Sequence, residues 1–310
     1  MKIQAMARAP ASVGNVAVGF DILGHTIDGP FDEVIVRRVD TPGVRIIAIH
    51  GADRPLPRKA ADNTSGAALL SLCAALNPKL GFEIEINKGI PYGSGLGGSA
   101  ASAVAALVAA NELLDTPLTR QQLYTYALTG EAVASGSRHG DNVAPMLLGG
   151  LVLATAETLL RLPVPDWLYA VVVHPHYVLE TRRSREVLVD PYPLSRYVEQ
   201  STHLSMMLLG CFRGDPELLR NGLVDVLVEP RRAALIPGFA EIKKAALNSG
   251  SLGASISGAG PSVFAWCRGA ASAAIVKTAM GQAFAERGLA SEGWISPVAG
   301  PRAEVVSCAS

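Results

Sequence analysis

Several common signatures of function are missing from this sequence. Its four cysteines, Cys73, Cys211, Cys267 and Cys308, lie far apart with no C-x-x-C pair. That excludes a cysteine zinc site and a disulfide scaffold, and it fits a reducing cytoplasm. Neither sign of charge prevails: Lys+Arg and Asp+Glu number 27 each, so the basic footprint of a nucleic-acid binder is absent. Charged residues make up only 17% of the chain, below the ~25% of ordinary soluble domains. The longest strongly apolar stretch, around Ala100 to Ala110, is short of the ~20 residues a bilayer requires. The opening MKIQAMARAPAS lacks the continuous apolar segment of a secretory signal. Neither a membrane nor a nucleic acid is expected as a partner.

What is present is core material. Apolar residues reach 49% of 310 positions, which is incompatible with intrinsic disorder and enough for two domains. Arginine outnumbers lysine 20 to 7; guanidinium forks suit carboxylates and phosphates, but genome composition explains the split equally well. In the first third, Val34 and Val36 alternate with polar neighbours, Val44 to His50 is a β-branched run, and FEIEIN at 82–87 alternates cleanly, all as strands do. Asp62 or Asn63 can cap a helix over Ser65 to Leu76. Further helices are expected at about Ser99–Leu114, after Thr119 to about Ser135, and at Ser195–Cys211, Pro216–Leu227, Phe239–Leu247 and Ala271–Arg287. Strands are expected at Tyr169–Val173, Ala254–Ser257, Ser262–Trp266 and once more at the end. The Pro163 and Pro165 stretch is the best boundary, and the uneven order of strands and helices points to an α+β fold.

Gly93 to Gly98 spells G-x-G-x-x-G. A dinucleotide site needs a buried parallel strand before this motif and an acid at the end of the next strand ~20 residues on. Here the preceding strand alternates, Pro91 interrupts the approach, and Asp115 falls at a helix end, so that reading fails on context. No Gly-Lys pair occurs anywhere, which rules out a Walker A loop, and the H-R-D and D-F-G signatures are absent. Against a plain surface turn stand Gly93, Gly95, Gly97, Gly98 and Ser99, directly before a long helix. Such a run lets backbone N–H groups converge on an anion at the helix N-terminus, with Leu96 anchoring the loop from below. A phosphate cradle is the better reading.

Three other segments carry polar residues in unusual company. GEAVASGSRHGDNVAP holds Glu131, His139, Asp141 and Asn142; Glu131 with Ser99 is the minimal oxygen set that Mg²⁺ takes beside phosphates. Read alone, the HGDN stretch is a turn. ASISGAGPS at 254–262 is a second glycine loop between short strands. PASVGNVAVGFD sets Asn15 and Asp21 among small apolar residues, where each needs a partner, internal or ligand.

Together and in this order, these segments resemble the GHMP small-molecule kinases. PYGSGLGGSAA is similar to their phosphate loop and SISGAGPSVFA to their C-terminal motif. APASVGNVAVGFD, SRHGDNVAP and EPRRAALIPGF narrow the likeness to the homoserine kinase group, over residues 8 to about 266. The resemblance implies a two-domain fold: a ribosomal-protein-S5-like nucleotide domain over residues 1–160 and a ferredoxin-like α/β domain over 161–310. It implies ATP and Mg²⁺ as cofactors, and phosphorylation of the side-chain hydroxyl of L-homoserine on the way to threonine. Carried over position by position, Pro91, Tyr92, Gly93, Ser94, Gly95, Leu96, Gly97, Gly98, Ser99, Ala100 and Ala101 form the ATP loop. Asn63 lies near the adenine, and Ser99 and Glu131 hold the metal. Asn15, Asp21, His139, Asn142, Thr181, Arg185 and Arg232 line the amino-acid pocket, with Asn142 orienting the acceptor hydroxyl. Gly98 departs from the family pattern, which has a serine there, and Val13-Gly14 replaces a small polar pair. No lysine lies near the HGDN loop in sequence, so no strong general base is evident; Asp141 is the alternative to Asn142. A related kinase acting on a different alcohol and an idle nucleotide-binding regulator stay open, and a homodimer is expected from base rates alone.

Overall fold

The alternation in the first third becomes a largely antiparallel sheet in the computed structural model, which describes residues 2–309. The first half of the chain runs β1 (Gln4–Gly14), β2 (Leu23–Val39), β3 (Gly43–His50), α1 (Thr64–Leu76), β4 (Gly81–Asn87), α2 (Gly98–Glu112), α3 (Arg120–Ser135), α4 (Val143–Leu148), β5 (Leu151–Ala154) and β6 (Leu159–Arg161). The second half runs β7 (Leu168–Pro175), α5 (Thr181–Glu186), α6 (Leu194–Arg213), α7 (Pro216–Gly222), α8 (Glu229–Arg232), α9 (Phe239–Asn248), β8 (Gly253–Ile256), β9 (Val263–Arg268), α10 (Ala270–Glu286), β10 (Ser291–Pro297) and β11 (Glu304–Ala309). One sheet has the order β11-β1-β2-β4-β3, with β5 and β6 added beside the start of β2; the other is β10-β7-β9-β8. The chain first passes from one sheet to the other between β6 and β7, across Pro163 and Pro165. The single strand expected at the end is two: β10 stays in the second sheet, while β11 returns to pair antiparallel with β1 in the first.

Local chemistry explains the helix limits. Asn63, of the two candidates, caps α1, its side-chain oxygen accepting the N–H groups of Ser65 and Gly66. Thr119 and Gln122 form a reciprocal capping box on α3. The helix expected over 216–227 stops at Gly222, because the Asp225 carboxylate takes the N–H groups of Leu227, Val228 and Glu229 and starts a new helix, α8. In α2 every residue from Ala100 to Ala110 is buried. Alanine makes this possible: without long side chains the helix axis approaches β1, β2, α1 and α3 on all sides.

The second sheet is covered on both faces, which is why VVV in β7 reads as an unbroken apolar run and not as an alternation. Val171, Val173, Val263 and Ala265 face a core with α9 and α10. Ala170, Val172, Phe264 and Trp266 face the large core of the first sheet. A buried polar contact crosses that junction: Trp266 Nε1–H donates to His25 Nε2 at 3.1 Å. The other ring nitrogen of His25 lies 3.0 Å from the Thr26 carbonyl, so the imidazole carries its proton on Nδ1. Burial holds this ring neutral, its pKa pushed down to about 4.

Trp266→Phe removes the donor and leaves His25 Nε2 buried and unpaired. Urea unfolding should show a loss of about 2 kcal/mol or more with an unchanged m-value.

Candidate active site

The glycine loop is built by alternation of backbone hand. Gly93, Gly95 and Gly97 have φ of 62°, 75° and 72°, while the residues between them carry the side chains. Ser94 and Leu96 turn inward and are buried. The loop ends at α2, whose first turn takes no side-chain cap from Gly97, so its N–H groups are left for an anion.

The C-terminal glycine motif closes over this loop. Between β8 and β9, Ser257 Oγ–H donates to the Gly95 carbonyl at 2.8 Å, and Ser262 Oγ–H and N–H both donate to the Ser94 carbonyl, at 2.6 and 3.2 Å. A Cβ on Gly95 would stand 2.5 Å from the Ser257 carbonyl oxygen and 2.7 Å from that of Gly260. The N-terminal motif joins the same junction, with Gly258 N–H donating to the Gly14 carbonyl at 3.1 Å. Asn15 Nδ2–H donates to Gly258 O at 2.8 Å, and Asn15 Oδ1 accepts the Asp21 N–H at 2.9 Å. Asn15, Val16, Ala17 and Asp21 all have positive φ. Four such non-glycine residues beside one cavity store strain that the surrounding hydrogen bonds must hold.

These pieces enclose a cavity of about 600 Å³. At the α2 end, Ser99 Oγ–H donates to Glu131 Oε2 at 2.9 Å, and Thr64 Oγ1–H to the Ser99 carbonyl at 3.1 Å. Burial pushes the Glu131 carboxyl up to about 7. At the other end Arg185 forks onto Asp21, at 2.9 and 3.3 Å, and His139 Nδ1 lies 3.2 Å from the same carboxylate. The other nitrogen of His139 contacts Ser137. Arg232, only 2% exposed, donates to the Ser184 and Gly258 carbonyls at 3.0 Å each and lies over the Phe20 ring. Its pKa falls to about 10 through burial and then the nearby Arg185. Asn142 is held from both sides: Oδ1 accepts Ser12 Oγ–H at 2.8 Å and Nδ2–H donates to Asp141 Oδ2 at 3.2 Å. Burial, and then the charge of Asp21, push Asp141 up to about 7.

Most of the residues singled out from sequence line this one cavity: Asn15, Asp21, Asn63, Pro91, Tyr92, Gly93, Ser94, Gly95, Gly97, Gly98, Ser99, Glu131, His139, Asn142, Thr181, Arg185 and Arg232. Leu96, Ala100 and Ala101 do not; they are fully buried beneath the loop and support it. Asn63 reaches the wall with its side chain already spent on capping α1 and on the Pro57 carbonyl. Among the clustered arginines, Arg182 and Arg185 line the cavity and Arg183 does not; Arg232 lines it, while Arg231 lies over the Tyr192 ring. Sequence reasoning missed Lys88, Asp32 and Ser102, which meet below the loop, and Arg54, which stacks over Tyr92. The one available signal for Lys88 was a lysine, scarce in this chain, just ahead of the glycines.

Gly95→Ala forces a Cβ into the Ser257 and Gly260 carbonyls at a positive φ; thermal unfolding should show about 1–3 kcal/mol lost, and calorimetry a loss of nucleotide binding. An aspartate carboxyl titrates near ~3.9 when unfolded, but Asp141 titrates at about 7 when folded. The folded chain therefore binds the extra proton between those values, and the stability it contributes is full at low pH and lost as pH rises through about 7. Asp141→Asn should flatten the fall in melting temperature between about pH 4 and 7.

Known proteins place the chain. Residues 63–150 match the GHMP kinases N terminal domain and residues 207–286 the GHMP kinases C terminal domain. The homoserine kinase of Xanthomonas campestris pv. campestris (strain B100) is 60% identical over 304 residues, covering 98% of this chain and 94% of its own length. That of Xylella fastidiosa (strain 9a5c) is 57% identical, with 98% and 94% covered. The crystal structure of homoserine kinase from Cytophaga hutchinsonii ATCC 33406 superposes with a TM-score of 0.95 at 41% identity, over 99% of this chain and 98% of that one. The L. major mevalonate kinase structure, at TM-score 0.68 and 17% identity over 96% and 97%, shares the fold. With both domains matched and relatives of this identity over nearly the whole length, the chain belongs to the homoserine kinase group of the GHMP kinase family.

Proposed function

We propose that this chain transfers the γ-phosphoryl group of ATP to the side-chain hydroxyl of L-homoserine, giving ADP and O-phospho-L-homoserine on the route to threonine. The observation that carries the reading is one continuous cavity with a phosphate-type end and an amino-acid-type end. The glycine loop and the uncapped start of α2 stand at one end, Arg185 and Asp21 at the other. An amino-acid zwitterion fits that second end by exchange: its carboxylate meets the Arg185 fork and its ammonium meets Asp21. The relatives named as homoserine kinases support the same substrate.

Phosphoryl transfer asks for position and charge stabilisation more than for covalent help. The α2 N–H groups and the loop amides hold the phosphates and receive the charge that develops on them. Asn142, fixed between Ser12 and Asp141, orients the acceptor hydroxyl. The proton leaves to phosphate or water; Asp141, with its raised pKa, is the competing acceptor.

Ser99 and Glu131 fit Mg²⁺. They offer a hydroxyl and a carboxylate 2.9 Å apart on the cavity wall, oxygen donors only. Among the described residues no cluster of three or more His, Cys, Asp or Glu side chains could hold a metal, as suits an ion held largely by phosphate oxygens. Bound there, Mg²⁺ would supply charge neutralisation between the phosphoryl oxygens. The reading extends to a cytoplasmic setting, on which the four free cysteines bear, and to a homodimer, the commonest closed assembly of soluble enzymes. No described helix is long and apolar enough to cross a membrane.

The test is ADP release from Mg-ATP with L-homoserine, L-serine, L-threonine, mevalonate or no acceptor. Strong stimulation by homoserine alone is expected; stimulation by mevalonate instead would move the substrate. Glu131→Gln should abolish turnover, by about 10³-fold (about 4 kcal/mol), while calorimetry still detects nucleotide binding. Retained turnover in that variant would overturn the metal assignment.

A further inference from the structure

Below the phosphate loop lies a buried ion pair, Lys88 with Asp32. Lys88 follows β4 directly, at the point where the chain leaves the sheet for the loop. Its ammonium has three donors, and all three are placed: on the Asp32 carboxylate, on the Gly98 carbonyl at 2.7 Å and on Ser102 Oγ at 2.8 Å. Asp32, on β2, is fully buried. Its Oδ1 accepts the N–H groups of Gly89 and Ile90 at 3.0 and 3.1 Å, and its Oδ2 accepts Ser102 Oγ–H at 2.6 Å as well as Lys88. The two side chains therefore clamp the chain entering the glycine loop, at 89–90, to the helix turn leaving it, at 98–102.

The geometry has an electrical consequence. A trans peptide sets the carbonyl of one residue and the N–H of the next on opposite sides. Drawing the Gly98 carbonyl toward Lys88 therefore turns the Ser99 N–H the other way, toward the anion end of the cavity. Lys88 also lines the cavity with a side chain only 11% exposed, and because Asp32 neutralises its charge the pair acts through the geometry it imposes on the first turn of α2. Arg54, Arg182, Arg185 and Arg232 also line the cavity, and Arg185 and Arg232 lie at its amino-acid end.

We propose that Lys88, oriented by Asp32, is a positioning residue for the phosphate cradle: it sets the loop and the first turn of α2 for a polyphosphate and leaves adenosine and amino-acid recognition untouched. This rests on the kinase reading above.

The experiment is isothermal calorimetry with ADP and with adenosine, alongside KM and kcat for both substrates. Removing one partner would strand a buried charge, so the central variant is the double neutral replacement Asp32→Asn/Lys88→Met, with Ser102→Ala and Lys88→Arg as milder companions. The double variant should weaken ADP binding about 10- to 100-fold and leave adenosine affinity and the homoserine KM within about twofold. Lys88→Arg, which keeps the charge but not the compact triple contact, should fall between. Ser102→Ala, which keeps both charges, should weaken ADP about three- to tenfold, and it carries the test if the double variant does not fold. A folded double variant that prefers ADP over adenosine as strongly as the parent overturns the proposal, as does an unchanged ratio in Ser102→Ala. A parent chain indifferent between ADP and adenosine overturns the kinase reading itself, and this inference with it.

Discussion

The fold of this protein turns on one seam, where the turn between β8 and β9 lies against the glycine loop. Two serine hydroxyls and a backbone N–H from the second sheet satisfy the Ser94 and Gly95 carbonyls of the first. A loop rich in glycine has large conformational freedom to lose. Here that freedom is removed from outside, by a partner some 160 residues away in sequence (|i−j| = 162 and 168). The cavity exists because the two sheets meet at this seam, with α2 on one side and the Arg185–Asp21 pair on the other. The large core continues behind it through Trp266 and His25.

The N-terminal motif shows what such a junction costs. Val16 sits at φ 44°, a region that β-branched residues avoid, and Asn15, Ala17 and Asp21 share the left-handed hand. The return is a tight curl that brings the Gly14 carbonyl to Gly258 and the Asp21 carboxylate to Arg185 and His139. Arg185 and His139 then converge on one carboxylate, an arrangement suited to a zwitterion more than to an ion. Strain of this kind persists only where neighbours over-determine the backbone, as the paired hydrogen bonds of the Asn15 side chain do here.

How much was legible in sequence depended on how local each signal was. The phosphate loop could be read because glycine spacing and the following alanine run are contiguous, and because the context refuted the dinucleotide reading residue by residue. The family likeness collected the distant pocket residues, yet it carried Leu96, Ala100 and Ala101 along with the true cavity wall, since a motif does not separate lining from support. Lys88 and Asp32 stayed hidden because their partners are 10 to 70 positions away, and because Asp32 looks like ordinary polar alternation in β2 and Lys88 like a polar residue after β4. The stop at Gly222 was missed for a related reason: a side-chain competitor, Asp225, captures the backbone beyond the expected helix.

The pairing of β11 with β1 has a bearing on how the chain is made. β1 is the first described strand, and along Gln4–Arg8 one of its two edges is paired with residues 304–309. While a ribosome is still elongating the chain, that edge presents a row of open backbone donors and acceptors from a strand with a largely apolar inner face. Closing it is the longest-range contact in the molecule, so it completes last and slowly. Until then a second nascent copy offers an alternative strand, so this edge is open to misassembly during synthesis.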